Sequence, residues 1–254
     1  MDRENPIFKQ KPLNFAHRGF TASAPENSMA AFKAAIELGV HGIELDVRTC
    51  KTGELVVFHD PTLGRMTNGR GFIKNKTLAE LKELRIKTQG GMTGEQLPTL
   101  KEVIELIDDR ALLNVEIKTN GLPKNGIENK VVEVLRHYGI EDKTIISSFN
   151  PLVMRRISKI DNQLLTGLLI DKSFKVRRAE ILLTKFSGAK AIHLEKSLAK
   201  ETFIKKVQTL GFYCIVWGVN DPAAMERLTN MGVEAIITDK PDLLKNINVS
   251  LQYA

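Results

Sequence analysis

The chain has 254 residues, 37 Lys and Arg against 30 Asp and Glu, and a formal net charge of +7 at pH 7. This length suits one large domain, since single α/β barrels occupy about 250 residues and a chain of this size buries roughly three quarters of its unfolded surface without a disulfide or structural metal. Hydrophobic residues at 43% and charged residues at 26% exclude disorder, collagen-like repeats and a multi-span membrane protein, but leave the partner of the positive excess open. The opening MDRENPIFKQKPLNF holds no apolar run of signal-peptide length, and no later stretch approaches the ~20 apolar residues of a membrane span, so a cytoplasmic protein is expected. Cys50 and Cys214 stand far apart with no His or Cys at zinc-site spacing, which makes them packing or turn residues rather than a bridge.

In chain order, LNFA (13–16) opens a series of short aliphatic and β-branched runs. A segment with apolar residues at three- and four-residue spacing, SMAAFKAAIELG (28–39), separates it from GIELDV (42–47). The run ELVVFHD (54–60) follows after only TCKTG, too short for a helical crossover, and so predicts a hairpin. Residues 72–100 are longer than one barrel helix needs and include a Gly, Thr and Gln stretch. We read an insertion, spanning about 60–98, with one helix near 77–84 and a mobile loop. Further runs follow at ALLNVEI (111–117), KTIIS (143–147), LTGLLI (165–170), AIHL (191–194), FYCIVW (212–217) and EAIIT (234–238), with helical periodicity at 100–109 and 128–139 between them. Gly39, Gly139 and Gly211 stand where helices should stop. Eight strands alternating with helices point to a (β/α)8 TIM barrel over residues 1–254, with a small insertion after the second strand's hairpin. An open doubly wound sheet is the alternative on pattern alone.

Reactive groups of such barrels gather at the C-terminal ends of the strands. The first strand runs into His17, Arg18 and Gly19. The second holds Glu44 and Asp46, two apart and so on one face, and the third holds Glu116 and Lys118 likewise. A hairpin turn centred near Lys51 and Thr52 makes facing positions sum to about 103, which sets His59 opposite Glu44. Three carboxylates with Arg18 and Lys118 leave a net charge of −1, and like charges a few ångströms apart cost about 4 kcal/mol at an effective dielectric of 20. Either a carboxyl stays protonated or a cation binds. A divalent ion and one phosphodiester bring the balance to zero. Oxygen ligands without thiolates favour one divalent cation, Mg²⁺ or Ca²⁺, over zinc. Two histidines beside it suit acid/base work near neutrality, so the expected reaction is metal-assisted cleavage of a phosphoester.

The segments AHRGFTASAPENSMAAFKAAIELGVHGIELDVR, ELVVFHDPTLGRMTNGRG, LPTL, NVEIK, VWGVN and ITDKP resemble the glycerophosphodiester phosphodiesterase family of bacterial cytosolic type, in order and over nearly the whole chain. The resemblance implies a TIM barrel, a divalent metal, and hydrolysis of glycerophosphodiesters to glycerol 3-phosphate and an alcohol such as choline, ethanolamine or glycerol. It implies His17 and His59 as the catalytic pair, Glu44, Asp46 and Glu116 as metal ligands, Arg18 and Lys118 as phosphate contacts, and Trp217 along the glycerol moiety. Two departures stand out. The hairpin tip reads Cys50, Lys51, Thr52, Gly53 where a Thr-Lys-Asp-Gly-like turn is common, and Gly218 replaces a common Thr, which bears on the width of the glycerol site.

Glu26 and Asn27, following Pro25, are expected to support the metal shell, with capping of the helix near Ser28 as the plainer role. Cleavage through a cyclic glycerol phosphate or by direct attack of water both fit, and either histidine can be the base. His41 and His137 read as surface or satisfied structural groups, His193 as pocket wall or structure. The basic run Lys172, Lys175, Arg177 and Arg178 lacks the interleaved aromatics of single-strand binders, so no nucleic acid is expected. Such helical charge runs are usually solvated faces, with transient contact with anionic lipid, without stable insertion, as the alternative. A small-molecule glycerophosphodiester is the expected partner, on a monomer or homodimer. Alternatives are a phosphodiesterase of lysophospholipids or membrane-derived polymers, and a catalytically idle anion-binding barrel.

Overall fold

A computed structural model describes residues 5–88, 90–119, 126–172 and 180–252. In chain order these form β1 (Leu13–His17), α1 (Met29–Leu38), β2 (Gly42–Thr49), β3 (Leu55–Val57), α2 (Leu78–Lys82), β4 (Lys87–Thr88), β5 (Gly91–Met92), α3 (Leu100–Ile107), β6 (Leu112–Ile117), α4 (Ile127–Tyr138), β7 (Thr144–Ser148), α5 (Pro151–Ile160), β8 (Leu165–Ile170), α6 (Glu180–Ser187), β9 (Ala191–Glu195), α7 (Glu201–Thr209), β10 (Tyr213–Trp217), α8 (Pro222–Asn230), β11 (Ala235–Thr238) and α9 (Pro241–Gln252). All eight predicted barrel strands are present. They pair in parallel in the order β1–β11–β10–β9–β8–β7–β6–β2, and β1 pairs with β2 to close the ring, which disposes of the open-sheet alternative.

The runs are continuously apolar because both faces are buried. Alternate residues point inward. Phe15, Ile145, Leu165, Ile215, Ala235 and Ile237 fill the barrel, while Ile43, Leu45, Val115 and Val216 face the helices. Gly42 is required by this packing, since a Cβ there would lie 2.3 Å from the Phe15 ring. Helix limits follow local chemistry. Ser28 caps α1 by accepting from the Ala31 amide, Gly39 ends it at a left-handed φ of 74°, and Thr99 with Glu102 makes a capping box for α3. The free cysteines are both buried, as expected of packing residues.

The segment between β3 and α3 differs from its expectation in two ways. Its helix is shorter than 77–84, and beyond it β4 and β5 make a small antiparallel pair in place of an irregular loop. It also has its own apolar centre, in which Leu63, Ile73, Leu81, Ile86 and Leu97 pack against Cys50, Val56 and Phe58 of the hairpin. The hairpin register is one residue from the expectation. Val47 faces Val57 and Thr49 faces Leu55, so facing positions sum to 104 rather than 103. This segment between β3 and α3, the excursion, contacts the turn at the slip, where the Lys51 amide donates to Lys76 O. Lys175, Arg177 and Arg178 of the basic run lie outside the described residues.

Candidate active site

Strand β1 ends at His17, and the two residues after it turn sharply, with Arg18 at φ 55° and Gly19 at φ 86°. Gly19 meets two demands at once, since its φ is left-handed and a Cβ would lie 2.8 Å from Ala31. The turn aims the Arg18 amide at Glu44, donating to Oε2 at 3.1 Å. It also swings the guanidinium over the carboxylates, 3.2 Å from Asp46 Oδ2 and 3.0 Å from Glu26 Oε1. Asn27 Nδ2 donates to Asp46 Oδ2 at 2.8 Å, and the Asp46 amide donates back to Asn27 Oδ1 at 3.3 Å. Ser28, not Glu26 or Asn27, caps the helix. Those two side chains instead hold Arg18 and Asp46.

Register sets the carboxylates. In β2 and β6, Glu44 faces Asn114 and Asp46 faces Glu116, all on the inner face. Glu44, Asp46 and Glu116 are buried, and each brings one oxygen within 4.8 Å of the others. Lys118 reaches Glu116 Oε1 at 2.5 Å and Asp46 Oδ1 at 3.1 Å. Burial and the neighbouring Asp46 charge push the Glu44 carboxyl up to about 8. Burial also acts on Asp46, but Lys118 and Arg18 overcome it and hold that group down to about 2. Such a trio, crowded and buried with one member resisting ionisation, fits a divalent cation with oxygen ligands.

The two histidines are held alike. His17 Nδ1 donates to Asp239 Oδ1 at 2.6 Å, and Asp239 Oδ2 accepts from Asn220 Nδ2 at 2.6 Å. His59 Nδ1 donates to Asp60 Oδ1 at 2.6 Å, and Asp60 accepts from Arg65 Nε at 2.5 Å. Arg65 in turn reaches Glu26 Oε1 at 2.6 Å, closing a chain of charges back to Arg18. With each Nδ1 engaged, Nε2 is the free ring nitrogen for chemistry, and His17 Nε2 lies 3.9 Å from Glu44. Burial lowers His17, but Asp239 and Glu44 more than offset it and raise its pKa. Burial prevails at His59, which is lowered. Both rings line one cavity of about 130 Å³, walled further by Lys118, Trp217 and Phe149. A groove of about 880 Å³ adjoins it, sharing His17 and Arg18 and bounded by Arg65 and Lys87 of the excursion.

The profile of the glycerophosphoryl diester phosphodiesterase family matches residues 17–243 of this chain. The chain belongs to that family. This phosphodiesterase is 40% identical over 245 residues to the glycerophosphodiester phosphodiesterase of Caldanaerobacter subterraneus subsp. tengcongensis, covering 93% of this chain and 98% of the relative. It is 33% identical to a glycerophosphodiester phosphodiesterase of Bacillus altitudinis, over 90% of this chain and 94% of that one. Among solved structures, an Oleispira antarctica phosphodiesterase in complex with the product sn-glycerol-3-phosphate superposes with a TM-score of 0.82 at 28% identity, covering 93% and 96% of the two chains. The glycerophosphodiester phosphodiesterase of Agrobacterium tumefaciens gives 0.78 at 26% identity, covering 92% and 99%. The protein is therefore an enzyme, a phosphoric diester hydrolase.

All ten residues singled out from the sequence fall at this end of the phosphodiesterase barrel. Sequence reasoning does not single out several of their partners: Asp239, Asn220, Asp60, Arg65, Phe149 and Asn114. Asp60 is findable, since it adjoins His59 and a carboxylate commonly orients a catalytic imidazole. Asp239 carries only the hint of a charged strand end. Phe149, which stands edge-on to Trp217 with centroids 5.8 Å apart and lies 5.7 Å from Lys118 Nζ, carries none. Trp217 is tied by Nε1 to His193 O at 3.3 Å. Gly218 has φ 74°, so it serves the backbone turn after β10, and a Cβ there would meet nothing within 4 Å. His41 is a satisfied structural group, its Nδ1 accepting from the Asn14 amide. His137 is exposed on α4. His193 is fully buried in the barrel, outside the cavity lining, and desolvation pushes it down to about 3.

Proposed function

We propose that this enzyme hydrolyses glycerophosphodiesters to sn-glycerol 3-phosphate and an alcohol, using one divalent cation, Mg²⁺ or Ca²⁺, and His17 and His59 as acid and base. The observation that carries the reading is one small cavity faced by two histidines, each tethered through Nδ1 to a carboxylate, beside three crowded buried carboxylates. An anion-binding module has no use for that pairing. The product named in the Oleispira structure supports the glycerol 3-phosphate half of the substrate.

Glu44, Asp46 and Glu116 would hold the cation, which supplies Lewis-acid polarisation of a phosphoryl oxygen. Arg18 and Lys118 neutralise the diester charge. Glu26 and Asn27 keep Arg18 and Asp46 in place, and Trp217 lies along the glycerol carbons. His59, neutral by its lowered pKa, takes the proton of the glycerol 2-hydroxyl as that oxygen attacks phosphorus. His17, whose pKa Asp239 and Glu44 raise, gives its proton to the departing alcohol oxygen as the P–O bond breaks. Water then opens the cyclic glycerol phosphate with the two roles reversed, restoring both protonation states.

We read residues 1–254 as one catalytic domain acting in the cytoplasm on water-soluble diesters. Among the described residues, no helix is long and apolar enough to cross a membrane. The decisive experiment is release of glycerol 3-phosphate from glycerophosphocholine, glycerophosphoethanolamine and glycerophosphoglycerol, against a lysophospholipid, with Mg²⁺, with Ca²⁺ and after chelation. Release that survives exhaustive chelation overturns the metal requirement. Binding of these diesters without release makes the barrel an anion-binding module.

A further inference from the structure

The cavity has one polar side chain that the reaction above leaves unused. Asn114 lies in the middle of β6, in register with Glu44, and lines the catalytic cavity. It is 1% exposed, and its Oδ1 finds no hydrogen-bond partner among the described residues. An inward-facing amide in a barrel strand is a poor choice for packing alone, because a buried polar atom left unpaired has lost its hydration and gained nothing in return. On the wall of the cavity, such an unpaired atom is placed for a partner that arrives with the ligand.

The substrate's chemistry leaves one group for it, on the reading that a glycerophosphodiester binds here. Arg18 and Lys118 answer the phosphate charge, and the histidines answer the 2-hydroxyl and the leaving oxygen. The terminal hydroxyl of the glycerol, on C1, has none of these. Elsewhere the lining is apolar, with Leu169, Ile237, Trp217 and Phe149. A hydroxyl both donates and accepts, and a primary amide offers one atom of each kind, so the two match whichever way the amide is turned.

We propose that Asn114 is a specificity-determining residue whose amide hydrogen-bonds the C1 hydroxyl of the glycerol moiety, so that this site requires that hydroxyl to be free. Diesters in which it is acylated or absent leave the amide desolvated and unpaired. A site built around a substrate hydroxyl rejects the analogue lacking it far better than an apolar pocket rejects an added group.

The test is a cycle of two substrates and three proteins. The substrates are glycerophosphocholine and the phosphocholine diester of propane-1,2-diol, which keeps the 2-hydroxyl and lacks the terminal one. The proteins are wild type, Asn114→Ala and Asn114→Leu, assayed with Mg²⁺. Wild type should favour the glycerol diester by about 100-fold in kcat/KM, and both variants should fall within about 3-fold between the two diesters. Each ratio is measured on a single preparation, so a partly unfolded variant does not disturb it. Calorimetric titration of Mg²⁺ onto wild type and Asn114→Ala should give affinities within about 3-fold, since an amide outside the ion's shell leaves its binding alone. The proposal is overturned if the variants keep the wild-type preference, if wild type shows none, or if the metal affinity falls steeply while the preference stays. In those cases turnover of glycerophosphocholine leaves the reaction standing, whereas a wild type that turns over neither diester overturns the reaction and the role of Asn114 together.

Discussion

The two histidines face one cavity but are carried by different kinds of structure. His17 is the last residue of β1, a strand paired on both sides, and its partner Asp239 follows directly on β11, the neighbour in the ring. Sheet register alone brings them together. His59 stands two residues past the end of three-residue β3, and what holds it is the link from Asp60 through Arg65 and Glu26 to Arg18, with Arg48 Nη2 donating to its carbonyl at 2.6 Å. The barrel holds one ring of the proposed acid/base pair, and a charge network rooted in the excursion holds the other. On the proposed mechanism the excursion therefore takes part by holding His59, although it supplies none of the three buried carboxylates.

The comparison can be broken outright at the rings. His17→Ala and His59→Ala should each lower kcat by about 10²–10⁴-fold, measured by glycerol 3-phosphate release, with folding unchanged by circular dichroism. Near-normal turnover in either variant would remove that residue from the mechanism. Next come the tethers, where the two halves should respond differently. Asp239→Asn takes from His17 the carboxylate that stabilises its imidazolium. Its pKa should drop, and the alkaline limb of the pH–rate profile should move to lower pH, with kcat reduced about 10–100-fold.

Arg65→Met cuts the other tether. Partial burial raises Asp60, but hydrogen bonds from Arg65 and His59 hold it down to about 2. Without Arg65, kcat should fall about 10-fold while the limb belonging to His17 stays in place. The melting temperature should hardly move, since partly exposed ion pairs contribute about 0–1 kcal/mol. An equal shift of both limbs would show that the two tethers are one unit.

The smallest effect concerns the carboxylates between the two halves. Glu44 rises from its ordinary 4.5 to about 8 in the metal-free protein. Its protonated form therefore contributes stability that is fully present below 4.5 and is lost as pH rises through 8. A cation reverses this by favouring the ionised form. The gain in melting temperature on adding Ca²⁺ or Mg²⁺ should be larger near pH 8 than near pH 6, and metal binding near pH 6 should release a proton. A gain independent of pH would mean that Glu44 is already ionised without metal.

Much of this is legible in the residues themselves. The barrel strands are short apolar runs separated by helices, several with their own cap or stop signals, as Ser28 and Gly39 at α1 and Asn150 at α5. A charged residue inside such a run, as at Glu44, Asp46 and Glu116, has few structural explanations. The period-two spacing of Glu44 with Asp46 and of Glu116 with Lys118 places each pair on one face by local strand geometry alone. The hairpin register differs by one because a five-residue turn has several close solutions, and contact with the excursion at Lys76 selects among them. The excursion's β4–β5 pair escapes sequence reasoning because two-residue strands carry no periodicity.

The sequence by itself determined the barrel, the carboxylate trio, the histidine pair and the class of chemistry, because these depend on local patterns and on residue types that the core otherwise rejects. Only the tertiary structure decided which carboxylate holds each histidine and which unpaired polar side chain faces the cavity. Asp239 meets His17 across 222 positions of chain, Arg65 reaches Glu26 across 39, and Asn114 enters the cavity because β6 lies beside β2. Such pairings arise from closing the ring and folding the excursion onto it, and a hydrogen bond between distant residues leaves no periodic trace in the chain that makes it.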